Sequence, residues 1–156
     1  MRLKVLALTT LALAACQSAP EAPPPSVAPI APIAAAGSAS LDSSVTIIPP
    51  DRKVPSRYAG FSGIWAGSWD GMYSGKLAVR TVAANGRVTV TYAWGEMADN
   101  KPGIVDGKGK IGGSTMKLER FANGADATFT MQSDGTLAGT YTLLERTYAG
   151  VFHRER

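Results

Sequence analysis

The chain has 156 residues, with 16 Lys or Arg against 12 Asp or Glu, a net charge of +4 and a single cysteine. One cysteine excludes an intramolecular disulfide, a CxxC redox pair and a cysteine-based zinc site. The mild positive balance includes no basic run with interleaved aromatics of the kind nucleic-acid binding uses, so no nucleic acid is expected as partner.

In chain order, Arg2 and Lys4 precede an apolar run of 11 residues, Val5 to Ala15. It falls short of the roughly 20 residues a spanning helix needs and suits the apolar segment of a secretory signal. The run closes on Leu13-Ala14-Ala15-Cys16, which resembles the lipobox of bacterial lipoproteins. The resemblance implies a signal peptide at 1–15 and a mature N-terminus at Cys16 carrying a diacylglyceryl thioether and an amide-linked acyl chain such as palmitate. At about 0.8 kcal/mol per buried methylene, two or three chains attach stably where one does not. Gln17 stands where that family's inner-membrane retention signal has aspartate, which implies the outer membrane, facing the periplasm. The alternative is an ordinary cleaved signal, with Cys16 merely a small residue.

Between Gln17 and Pro50 lie eight of the 10 prolines, eight alanines and no aromatic residue. Such a stretch buries too little apolar surface to offset its ordering entropy. Residues 16–50 are therefore expected to form a disordered Pro/Ala linker, partly polyproline II, reaching on the order of 100 Å when extended or about 30 Å as a coil. The run PPPSVAPIAPI also suits a polyproline-binding partner. Leu41 to Ile48 either adds an edge strand or drapes on the domain surface.

Residues 51–156 hold all 12 aromatics and 16 of the 17 glycines, and make one domain of common size. Apolar and polar residues alternate throughout at period two, with no sustained helical repeat. The alternation predicts eight strands: Gly63–Trp69, Gly75–Val82, Arg87–Trp94, Ile104–Ile111, Thr115–Arg120, Ala127–Gln132, Thr136–Leu143 and Tyr148–Arg154. Asn85-Gly86, Asn123-Gly124 and Asp134-Gly135 are tight-turn pairs, so consecutive strands pair antiparallel. An eight-stranded up-and-down meander closing into a small all-β barrel removes both exposed edges. Residues 96–103 form the one long polar loop, at a barrel mouth. The face opposite the large residues carries Lys76, Arg80, Arg87, Thr89, Thr91, Lys117, Glu119, Thr128 and Thr130. These are costly against lipid, so the barrel is expected to be soluble.

The heptapeptides GIWAGSW (63–69) and GTLAGTY (135–141) share G-x-x-A-G-[ST]-[WY]. A middle glycine among aromatics bends a strand or makes room for a ring from across the barrel. With Gly63 and Trp65 on the first strand, a meander, and Asp134-Gly135-x-Leu137-x-Gly139-x-Tyr141, the domain resembles the calycin superfamily of lipocalins and avidins. It is also similar to envelope lipoproteins and protease inhibitors with eight-stranded barrels. The resemblance implies the fold and no site.

Chemistry is sparse. The only histidine, His153, has no nucleophile motif to serve, and one His without Cys is too few for zinc. No catalytic residue, metal or cofactor is expected, and the domain is read as non-enzymatic. A paired-carboxylate site is defined in space and stays open. Asp106-Gly107-Lys108-Gly109-Lys110 reads as a strand of alternating glycine and lysine, since no helix follows to make a phosphate loop. Lys108, Lys110, Lys117 and Arg120 can form a patch that attracts anionic envelope polymers or lipid headgroups. Trp65, Trp69, Tyr92, Trp94 and Tyr141 fall on inward faces, either as core or as the lining of a small-ligand pocket. The expected function is a membrane-anchored binding or structural module. A protease-inhibitor-like interaction module acting through the N-terminal segment or loops, and a lipocalin-like carrier of a small apolar ligand, are the alternatives.

Overall fold

In the computed structural model, residues 38–96 and 100–156 are described. The expected signal peptide, Cys16 and the linker as far as Gly37 lie outside the described residues. Eight antiparallel strands follow one another in meander order and close into a barrel: β1 (Gly63–Trp69), β2 (Tyr73–Val82), β3 (Arg87–Trp94), β4 (Gly103–Gly112), β5 (Thr115–Leu118), β6 (Asp126–Met131), β7 (Leu137–Leu143) and β8 (Arg146–Arg154). β1 pairs with both β2 and β8, so the ring has no free edge.

Three turns share one local mechanism. Gly86, Gly124 and Gly135 take φ of 82°, 83° and 82°, which glycine adopts without the clash a Cβ brings. The residue before each accepts a hydrogen bond from the backbone N–H two positions on: Asn85 from Arg87, Asn123 from Ala125 and Asp134 from Thr136. The Thr136 N–H and hydroxyl also hold the Asp134 carboxyl below its usual range.

Inward positions are filled for most of the barrel's length. Trp65, Trp69, Leu77, Phe129, Leu137 and Phe152 are fully buried, and burying each such side chain contributes about 1.5–3 kcal/mol. Glycines make this possible, because a Cβ on Gly139 would sit 2.8 Å from the Trp69 ring and one on Gly67 would sit 2.8 Å from the Phe152 ring. In both heptapeptides the middle glycine thus makes room for a ring from another strand. Gly107 and Gly109 likewise face inward beneath Phe121 and Leu118, while Lys108 and Lys110 point out.

One element had no signal in the alternation. A four-residue helix α1 (Ser56–Ala59) follows Pro55 and delivers Phe61, fully buried, to one end of the barrel. There the Trp65 indole N–H donates to the Phe61 carbonyl at 2.9 Å. The Arg154 guanidinium lies 4.3 Å from the Trp65 ring centre and donates to the Ser62 and Gly60 carbonyls. This end is closed.

Strand limits differ modestly from expectation. β5 stops at Leu118 because the chain turns after Glu119, whose N–H still reaches the Lys108 carbonyl, and sends Phe121 inward. Leu41 to Ile48 forms no strand; it drapes, with the Ala39 N–H on Ser74 Oγ at 2.8 Å and the Ile48 N–H on the Arg80 carbonyl at 2.8 Å. Arg80 is free to accept because the β2–β3 register shifts there. Ala78, Thr91 and Ala93 lie on the outward side of β2 and β3 and are nonetheless buried, as expected of a wall that carries such a covering.

Candidate functional site

At the opposite end β1, β3, β5 and β7 finish, and residues 70–72, 95–96, 100–102, 119–125 and 144–145 surround the opening. Tyr92 and Trp94 sit two residues apart on β3 and therefore share its inner face. Their rings stack at 6.0 Å and 26°. Phe121 stacks on Tyr92 at 5.7 Å and 25°, and Tyr141 from β7 stands 6.1 Å from Tyr92. These rings line a cavity of about 310 Å³, joined by Lys101 and Asn123. A smaller space of about 50 Å³ shares Tyr92, Trp94, Asn123 and Tyr141.

Each lining group is held in place. The Trp94 indole N–H donates to the Lys101 carbonyl at 2.9 Å, and across the strand pair Gly103 leaves its Cβ position to the indole, whose Cζ2 comes within 2.4 Å of it. Asn123 spends its carbonyl oxygen on the Ala125 N–H and donates its amide to the Tyr141 hydroxyl at 3.3 Å. The Tyr92 hydroxyl accepts the Trp69 indole N–H at 2.7 Å. Burial pushes the Tyr92 phenol above its ordinary range, against the opposing pull of that hydrogen bond. Tyr92 is thus a neutral phenol that retains its donor hydrogen.

The five aromatics singled out in the sequence divide. Trp65 and Trp69 have no exposed surface and belong to the packed interior, Trp65 at the closed end and Trp69 beneath the opening. Tyr92, Trp94 and Tyr141 line the cavity together. Phe121, Asn123 and Lys101 join them from connections, where alternation gives no guide to direction; the turn pair Asn123-Gly124 was the only nearby signal.

His153 is exposed on the outer face of β8, opposite Ala66 and away from the cavity. Carboxylates pair on the outer surface, Asp106 with Arg80, Asp126 with Arg120 and Glu155 with Lys76. Among the described residues no cluster of three or more His, Cys, Asp or Glu side chains is placed to hold a metal. No known family model and no curated protein matches this chain. A small antiparallel barrel is what the geometry establishes, and it is compatible with a binding or structural role.

Proposed function

We propose that this chain is a lipid-anchored protein of the bacterial envelope, built on a lipocalin-like barrel that binds a small ring-bearing ligand at its open end. The observation that carries the binding reading is the half-buried Trp94 at the mouth of an otherwise filled barrel, backed by Tyr92, Phe121 and Tyr141. Aromatic faces accept a flat or C–H-rich ring, while Asn123 and Lys101 offer polar contacts at its edge. The volume suits a ligand at the lower end of the usual range.

Anchoring is supported by Leu13-Ala14-Ala15-Cys16 and placement outside the bilayer by the outward Lys76, Arg80, Arg87 and Lys117, each costing about 2–4 kcal/mol at a bilayer midplane. The chain is read as a binding protein and not an enzyme, and the distance in the fold between His153 and the mouth groups supports that.

The test uses fluorescence of the full chain. Two of the three tryptophans lie in packed interior, so a ligand in the mouth perturbs Trp94. A panel of aromatic and sugar-ring compounds is expected to include one that quenches, with the response lost in Trp94→Phe. A response that persists in Trp94→Phe, or none across the panel, overturns the binding reading. Mass spectrometry of the mature chain tests acylation at Cys16 separately.

A further inference from the structure

The outer wall carries a second feature, remote from the mouth. Register places Arg87 of β3 opposite Lys110 of β4, and Lys110 opposite Lys117 of β5. All three are exposed. On either side the row continues to Ala83, whose N–H reaches the Arg87 carbonyl, and to Thr128, the partner of Lys117. Three cations therefore stand side by side, about 4.8 Å from strand to strand, in a row with no carboxylate. Like charges directly opposite one another destabilise a sheet.

Three other cations of the barrel are neutralised: Lys76 by Glu155, Arg80 by Asp106 and Arg120 by Asp126. Arg87, Lys108, Lys110 and Lys117 have no such ion pair among the described residues. They line a groove of about 930 Å³ whose full lining has five cations against two carboxylates, Glu119 and Asp126. Asp126 is held by Arg120, with Lys117 near enough to act on its carboxyl, and Glu119 stands beside Lys108, outside the row of three. The patch legible in the sequence thus changes membership: Arg120 is occupied by its partner, and Arg87 takes its place.

We propose that this groove is a binding site for a linear polyanion, a chain with closely spaced anionic groups that lies across β3, β4 and β5. Shape and charge select that occupant. The cations line a concavity, so a narrow chain reaches them all, whereas a flat lipid surface meets only the rims. Thr81 and Thr89 lie on the same wall and add hydroxyl contacts.

The experiment is calorimetric titration of the mature chain with linear inorganic polyphosphate, repeated on Lys110→Gln/Lys117→Gln. Both lysines are exposed, so the variant is expected to fold with a melting temperature equal to or above that of the parent. Binding by the parent is expected to weaken about a hundredfold between roughly 50 and 200 mM salt, and by about tenfold or more in the variant. Equal affinity in the two chains, or no binding at low salt, overturns the proposal. Retention on phosphatidylglycerol vesicles without polyphosphate binding overturns the linear occupant and makes the groove a membrane-facing surface. Quenching of Trp94 by a mouth ligand is unaffected in either case, since the groove lies on the outside of the wall.

Discussion

The guanidinium of Arg154, the third residue from the end of the chain, stacks 4.3 Å above Trp65, which stands third in β1. Because β8 pairs with β1 through Trp65 and Arg154, one contact joins barrel closure to the end plug formed by the turn after α1. Arg154→Ala is expected to cost about 1–3 kcal/mol, through loss of the cation–π contact and two charge-assisted hydrogen bonds. Arg154→Lys should recover only part, since an ammonium lacks the planar fork that spans two carbonyls. Urea denaturation of the three chains checks both statements.

Removal of a hydroxyl should matter more inside the barrel than at its rim. Tyr92→Phe leaves the Trp69 indole N–H buried without an acceptor and is expected to cost about 1–3 kcal/mol. Tyr141→Phe frees the Asn123 amide at the open mouth, where water replaces the lost partner, and should cost under about 1 kcal/mol. Equal losses in the two variants would contradict the placement of Tyr92 below the solvent-accessible mouth.

The same phenol predicts an alkaline weakness. Burial raises the Tyr92 pKa in the folded state above its unfolded value of 10.0, so the folded state holds its proton more tightly. The resulting stability is fully present below about pH 10 and is lost as pH rises from there towards the folded pKa. Stability should fall by up to about 1.4 kcal/mol per pH unit above pH 10. Subtracting the same curve for Tyr92→Phe isolates this contribution, and identical curves would refute it.

Two glycine substitutions should behave oppositely. A Cβ on Gly67 would lie 2.2 Å from the Val151 carbonyl oxygen, which is backbone and cannot turn aside, so Gly67→Ala should force β1 from β8 at a cost of about 1–3 kcal/mol. A Cβ on Gly112 meets nothing within 4 Å, and Gly112→Ala should be neutral or stabilise by up to about 1 kcal/mol by restricting the unfolded chain. Thermal denaturation distinguishes them.

Removing residues 38–48 should uncover Ala78, Ala93 and Thr91 on the outer wall. The strand pairing remains complete without that segment, so the expected result is a folded barrel of lower stability. Hydrogen exchange should rise at the middles of β2 and β3 and stay unchanged in β6 and β7.

Period-two alternation from Gly63 to Arg154 was enough to read eight strands, their inward faces and the tight turns, because each of these depends on neighbours in sequence. Val88, Val90, Tyr92 and Trp94 all face inward as the alternation requires. The glycine–lysine alternation of 106–110 is a strand for the same reason. Closure into a barrel was also legible, since short connections leave few other ways to remove two edges. Nothing local distinguished Trp65 and Trp69 from Trp94, for all three occupy inward positions. Their difference is axial position, set by strand register and by which end α1 and Arg154 close. Phe121 and Asn123 reach the mouth from a connection, where direction is fixed by what the ring packs against. The alignment of Arg87, Lys110 and Lys117 depends on pairing between strand positions up to 23 residues apart, and Arg120 is withdrawn from it by its ion pair with Asp126. The sequence determined the wall, because alternation is a property of adjacent residues. Only the tertiary structure decided which end opens and which cations stand together, because both follow from contacts that sequence neighbours do not make.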